Sequence, residues 1–279
     1  MYATALDERA RTIRATTIQM AHDGREGHLN GALSCVELLL CLFDGWLRIP
    51  REQEKAPERD RFIFSKGHAC ASLYAVLAER GYFPVSWLDR YATDDSPLPS
   101  HPCIHALPLL DCSAGSLGHG LGMATGKAYG LRLDGNSSRT VALISDGECN
   151  EGSTWESATF AASHKLDNLL LIVDNNGVQS VGRSDDLMGG TSLEEKFTSF
   201  GWAARTVEGN TTAAVKMALS EVPFVKGKPS VIVAKTTAGA GVSFMQDQVL
   251  WHYRVPSDDD LQRALQELGA TPLHKRSNP

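Results

Sequence analysis

Asp146 and Asn176 each stand at the end of an apolar run. TVALIS precedes Asp146-Gly147-Glu148, and LLLIVD precedes Asn175-Asn176-Gly177. Asp146 offers a hard anionic oxygen and Asn176 a neutral carbonyl oxygen. With a backbone carbonyl they make an oxygen donor set for octahedral Mg²⁺, whose other positions waters or phosphate oxygens fill. Gly147 lets the backbone come close to a phosphate, and a helix that follows aims its N-terminus at it. The chemistry expected is metal–diphosphate binding. Taken singly, DG or NNG after a strand is also ordinary turn sequence.

These tips must be positioned by the elements around them. The pattern predicts a helix over Ala5–His22 carrying Ile13 and Ile18, and a very apolar helix over Ser34–Trp46. Charge and two prolines make Ile49–Arg59 a surface loop. RFIF reads as a short strand, and Ala69–Arg80 as a helix closed by Gly81. Thr93–Pro108, with four prolines, reads as irregular. Then strands and helices alternate: Thr140–Ser145, helix Asn150–His164, Leu169–Asp174, Trp202–Val207, helix Ala213–Glu221 and Ser230–Lys235. Continuous apolar strands that alternate with helices predict an α/β fold, a doubly wound and mainly parallel sheet with helices on both faces. Ligands of such sheets bind beyond the C-terminal strand ends, which is where Asp146 and Asn176 fall.

Composition narrows the function classes. The chain has 279 residues, 27 basic and 33 acidic, for a formal charge of −6. An acidic balance argues against nucleic acid as main partner. No run approaches the roughly 18–20 apolar residues of a membrane span, and the charged N-terminus lacks a signal-peptide core. The six cysteines form no CxxC pair and read as reduced thiols of a cytoplasmic protein. Cys103 and His105 near His101 have no further ligand pair at zinc spacing, so zinc is not expected. His22, His164 and His274 read as surface residues, and His119 as a packing or hydrogen-bonding one.

S-D-G-E-x-x-E-G followed about thirty residues later by N-N resembles the thiamine diphosphate fingerprint. GHLNGALSCVELL, RDRFIFSKGH, SHP at 100–102, GSLGHG at 115–120 and AKTTAGAGVSFM with Trp251-His252 extend the match. In this order they resemble the N-terminal, diphosphate-binding domain of a transketolase, over nearly the whole chain. The resemblance implies one such domain over 1–279, with a polar tail from about 270. It implies thiamine diphosphate and Mg²⁺, or Ca²⁺ or Mn²⁺ in its place, with Asp146, Asn176 and the main-chain oxygen of Val178 as metal ligands. Gly115, Leu117, Gly147, Asn176, His68 and His252 would bind the cofactor. Glu151, one turn into the following helix, would also count among the cofactor-binding residues and join a hydrogen-bond network that crosses the subunit interface. His28 and His101 would be catalytic, His28 assisting proton transfer at sugar oxygens and His101 contacting the donor sugar. Histidine suits this work because it titrates near neutral pH and bonds through both ring nitrogens.

Two departures stand against the family pattern. Ser145 replaces the first glycine of GDG, and Ala238 removes the usual cation of T-x-K-G-x-G, for which Lys66 is a candidate substitute. The family's pyrimidine-binding domain, which supplies the glutamate that activates the cofactor, is expected to lie outside these 279 residues. The expectation is therefore a split enzyme, a transferase moving a two-carbon ketol unit from a ketose to an aldose, with a separate pyrimidine-domain subunit in an α₂β₂ assembly. Sugars or sugar phosphates would be substrates. Helices 33–47 and 150–164, apolar on more than one face, are candidate interface elements. Two alternatives stand beside it: another thiamine enzyme, such as the α subunit of a 2-oxo acid dehydrogenase or a deoxyxylulose-phosphate synthase, and, of a different class, a non-catalytic regulatory paralogue.

Overall fold

The structure, a computed structural model, describes residues 5–51 and 56–274. The chain opens with helix α1 (Ala5–Gly24), whose first turn carries Asp7 and Glu8 at the positive helix end. Two short helices follow, α2 (Leu29–Ser34) and α3 (Val36–Cys41). Then come strand β1 (Arg61–Phe64), helix α4 (Cys70–Glu79) and helix α5 (Gly120–Leu133). Strand β2 (Thr140–Ser145) leads through a tight turn into α6 (Gly152–Ser163), and β3 (Leu169–Asn175) into a hairpin of β4 (Val178–Gln179) and β5 (Gly182–Arg183). Helices α7 (Ser184–Met188) and α8 (Leu193–Ser199), strand β6 (Ala203–Glu208), helix α9 (Thr212–Ser220), strand β7 (Ser230–Lys235) and helix α10 (Asp258–Leu268) complete it.

Five strands pair in the order β1-β2-β3-β7-β6, all parallel. Side chains alternate between the two faces, and both faces are covered. Val141, Leu143, Leu170 and Ile172 pack with α3, α4 and α9, while Ala142, Ile144, Leu171 and Val173 pack with α5, α6 and α8. This is why the strands read as unbroken apolar runs. A third cluster joins Ile18 of α1 and Leu29 and Leu33 of α2 to Trp251 and α10. Ser257 and Asp260 close a capping box at the start of α10.

The register sets Ser145 opposite Asp174, so the tips of β2 and β3 lie side by side on one sheet edge. The strand assignments agree with the sequence expectation to within a residue or two at each end. Four details correct it. The apolar stretch Ser34–Trp46 is not one helix: α2 already begins at Leu29, Cys35 interrupts it, and the chain unwinds at Asp44 and Gly45, the latter at φ +101. Leu33 and Leu38–Leu42 are wholly buried within the chain and so present no interface face. Helix α6 begins only at Gly152, after a 3₁₀ turn at Gly147–Asn150. His274 is buried rather than exposed. Part of the polar tail, 275–279, and part of the loop 49–59, 52–55, lie outside the described residues. Among the described residues no helix is long and apolar enough to cross a membrane, and the six cysteines are free thiols.

Candidate cofactor and active site

A cavity of about 200 Å³ opens beyond the tips of β2 and β3. Ser145, Asp146 and Gly147 enter it from the end of β2, and Asn176 and Val178 to Ser180 from the end of β3. His28 and Gly31 come from the start of α2, Lys66 and His68 from the turn after β1. Gly115 and Leu117 come from the loop before α5, and His252 from the short turn near the chain's end. Most residues singled out in the sequence thus converge on one site. Two do not line it. Glu151 has extended backbone, precedes α6 and is exposed. His101 is exposed and stands beside Gly115, where a Cβ would lie 3.8 Å from its ring. His119 is also exposed.

The oxygens at the strand tips are held in place by the fold. Asp146 Oδ2 accepts from the Gly177 N–H at 3.1 Å and the Ser184 hydroxyl at 2.6 Å. Burial, and after it the nearby Asp174 carboxylate, pushes the Asp146 carboxyl upward. Asn176 Oδ1 accepts from the Val178 N–H at 3.0 Å. A buried carboxylate and an amide carbonyl, with main-chain oxygens close by, form the hard donor set that Mg²⁺ prefers. The ring Nδ1 atoms of His28 and His252 are buried without a hydrogen-bond partner. Buried polar atoms are normally paired, so these unmet atoms fit a polar ligand. The residues present therefore suit a diphosphate with its metal.

His28, His68 and His252 form a triangle, with ring centroids 5.3, 5.2 and 5.4 Å apart. The His28 N–H donates to the His252 carbonyl at 2.9 Å, tying two corners together. His28 adopts φ +61, left-handed for a residue with a side chain. Such a backbone costs roughly 1–3 kcal/mol and persists where surrounding structure imposes it. Burial lowers all three pKa values, His68 well below the ordinary value and His252 to about 4; Lys66 and neighbouring rings add to it at His68 and His252, and His101 adds to it at His28. The cluster is held neutral, so its nitrogens can accept as well as donate.

Neutral burial has a consequence for stability. Below the ordinary histidine value of 6.5 the unfolded chain takes up protons that these rings refuse in the folded chain. Stability is full above 6.5 and is lost as pH falls toward about 4. Each such ring adds at most about 1.4 kcal/mol per pH unit to the acid slope. Thermal melts at decreasing pH, without added cofactor, are expected to fall less steeply for His252→Gln than for the unaltered chain. Parallel slopes would show that His252 is protonated in the folded state.

Sequence reasoning missed some of the residues that build the site and gave others, Ser145 and Lys66, a different role. Glu148 Oε1 accepts from the Ser65 hydroxyl and, at 3.0 Å, from the Gly118 N–H. It thereby joins three loops behind the cavity. Gly118 sits at φ +87, and a Cβ there would meet Ser153 Oγ at 2.7 Å. Ser145, read as a departure, has a local use: its hydroxyl accepts from the Glu148 N–H at 3.2 Å. Lys66 is fully buried and donates to Asp174 and, at 2.8 Å, to the Gly31 carbonyl. Asp174 was visible only as the polar end of an apolar strand.

The family model described as transketolase, thiamine diphosphate binding domain, matches residues 6–277. The chain belongs to the transketolase family. It is 39% identical over 264 residues to an apulose-4-phosphate transketolase subunit of Actinobacillus succinogenes, covering 94% of this chain and 95% of that one. It is 34% identical over 263 residues to the 6-deoxy-6-sulfo-D-fructose transketolase subunit SqwG of Clostridium sp., covering 94% and 96%. Human transketolase is 34% identical over 268 residues, but that match covers 95% of this chain and 42% of the human one. Among solved structures, transketolase from Leishmania mexicana superposes with a TM-score of 0.90 at 25% identity, covering 100% of this chain and 43% of that one. This transketolase-family chain therefore spans less than half the length of these two transketolases and nearly all of the subunits. It carries the family's thiamine diphosphate-binding domain.

Proposed function

We propose that this chain is the diphosphate-binding subunit of a two-component transketolase. It moves a two-carbon ketol unit from a ketose or ketose phosphate to an aldose, using thiamine diphosphate and Mg²⁺. The observation that carries this reading is the meeting of Asp146, Gly147 and Asn176 with three neutral histidines in one cavity. Asp146, Asn176 and the Val178 carbonyl hold the metal, with Ca²⁺ or Mn²⁺ able to replace it. Gly147, Gly115, Leu117, His68 and His252 receive the cofactor. Bound there, thiamine diphosphate supplies the electron sink that allows a C–C bond beside a carbonyl to break. His28 exchanges protons with sugar oxygens inside the cavity, and His101 meets the donor at its mouth. Exposed Glu151, at the start of α6, faces the partner.

The partner in this reading is a chain carrying the pyrimidine-binding half, joined in an α₂β₂ assembly in the cytoplasm. Two relatives named as transketolase subunits and of matching length support it. The regulatory-paralogue reading rested partly on Ser145, which the Glu148 hydrogen bond accommodates. Residues 1–279 act as one domain.

The test isolates this chain from its native lysate with thiamine diphosphate and Mg²⁺, identifies the chain bound to it, and assays ketol transfer. This chain alone is expected to bind the cofactor without turnover, and the reconstituted pair to transfer. A pair that holds cofactor but transfers nothing, across ketose donors with and without phosphate, would overturn the proposal.

A further inference from the structure

Asn176 has two unlike ends. Its carbonyl oxygen can ligate a metal and its amino group cannot. Which end faces which way is decided by the hydrogen bonds around it. Nδ2 donates to Ser34 Oγ at 3.2 Å and reaches Asp174 Oδ2 at 3.4 Å, while Oδ1 accepts from the Val178 N–H.

The Asp174 side of this arrangement is built with care. Asp174 and Lys66 are both fully buried and form an ion pair across 108 residues of sequence. The Ser34 hydroxyl donates to Asp174 Oδ2 at 2.6 Å, and Thr236 donates to Oδ1. The Ser34 hydroxyl has one hydrogen, taken by Asp174 at 2.6 Å or by the Gly31 carbonyl at 3.0 Å, so its oxygen is left to accept from Asn176. An ionised carboxylate only accepts. The two groups that Asn176 meets on this side, Ser34 Oγ and Asp174 Oδ2, therefore receive its amino group and not its carbonyl, while the donor there, Lys66, is engaged with Asp174, the Gly31 carbonyl and Ser34.

We propose that Asp174 is a positioning residue that fixes the Asn176 amide with its carbonyl end turned away, toward Val178, as a metal ligand requires. Lys66 serves as the buried counter-ion of Asp174 and not as a substitute for the cation missing at Ala238. The proposal rests on the metal site described above. Outer groups that orient a ligand are typically worth about 10–100-fold in metal affinity.

The test is a double-mutant cycle read by calorimetric titration of Mg²⁺ into the full chain with thiamine diphosphate. Asp174→Asn is expected to weaken Mg²⁺ binding by about 10–100-fold, because the new amide no longer forces the Asn176 orientation. In an Asn176→Asp background the same change is expected to cost nothing or to tighten binding. A carboxylate has no wrong end, and Asp174→Asn removes a like charge beside it. Equal losses in both backgrounds would make Asp174 merely structural and overturn the proposal alone. Absence of Mg²⁺ binding by the unaltered chain would overturn the metal site and this proposal together. If the bare Lys66 ammonium prevents Asp174→Asn from folding, Lys66→Met with Asp174→Asn removes both charges, and the same comparison is made there with the same expectation.

Discussion

Asp146→Ala is expected to abolish Mg²⁺-dependent binding of thiamine diphosphate, a loss beyond the ~10–100-fold typical of an outer-shell change. Asp146 brings the charge among the proposed ligands, since Asn176 and the Val178 carbonyl are neutral. Mg²⁺ gives up water reluctantly and needs that charge. Asp146→Asn separates charge from geometry. An amide oxygen can still accept from Gly177 and Ser184, so the tip of β2 keeps its shape. The two variants are expected to fail alike in calorimetric titration of cofactor with Mg²⁺. They differ in the chain measured without ligand. Burial and Asp174 raise the Asp146 pKa, so the folded state holds this proton more strongly than the unfolded state does. That contribution favours folding at low pH and is lost as pH rises through the folded value. At neutral pH the ionised carboxylate therefore weakens the fold. Asp146→Asn should raise the melting temperature, by about 2–4 °C for each kcal/mol relieved, and erase the further rise that Mg²⁺ and cofactor give the unaltered chain. Unchanged cofactor affinity in either variant would remove the metal assignment.

The trade of stability for a ligand site also explains what the sequence could show. Strands β2, β3 and β7 were legible because both sheet faces are covered, which leaves an apolar run with no polar interruption. The same burial hid the break at Cys35. Around α2 and α3 all sides are buried, so no periodicity marks where one helix stops and the next begins. Glu151 was read one turn into α6 because Gly147–Asn150 forms a 3₁₀ turn, a difference of hydrogen-bond closure that residue types barely encode. In the site, Asp146, Gly147 and Asn176 were legible because strand ends carry ligands in such sheets. The histidine triangle was legible only through motif order, since its corners lie in three distant segments. Glu148, Ser34 and the Lys66–Asp174 pair had no local signal at all. Their partners are set by how loops fold back on the sheet, and a lysine in SKGH looks the same whether solvated or buried.

His101→Ala is expected to lower kcat/KM for the donor ketose by about 100-fold or more, the usual worth of a positioned acid–base or hydrogen-bonding side chain, and to leave cofactor affinity within about 2-fold, far short of the 10–100-fold that marks a loss at the metal site. The geometry separates the two quantities. His101 does not line the cavity that would hold the diphosphate; it stands outside, next to Gly115. Its place is nonetheless fixed. The Tyr74 hydroxyl donates to the Pro99 carbonyl at 3.1 Å, and the Cys70 thiol to the Ser100 carbonyl at 3.0 Å, which anchors the preceding backbone on α4. The Ala114 N–H donates to the Pro102 carbonyl at 3.0 Å, which ties the following residue to the glycine loop. An exposed side chain on a backbone pinned from both sides is suited to meet a substrate that arrives after the cofactor. His28→Ala offers the contrast. Its ring is one corner of the histidine triangle that lines the cavity, so its loss should reach cofactor binding as well as turnover. Steady-state kinetics of the reconstituted pair, with cofactor titrations of the same preparations, distinguish the cases. An equal fall in cofactor affinity for both variants would place His101 inside the cofactor site and contradict its assignment to the donor.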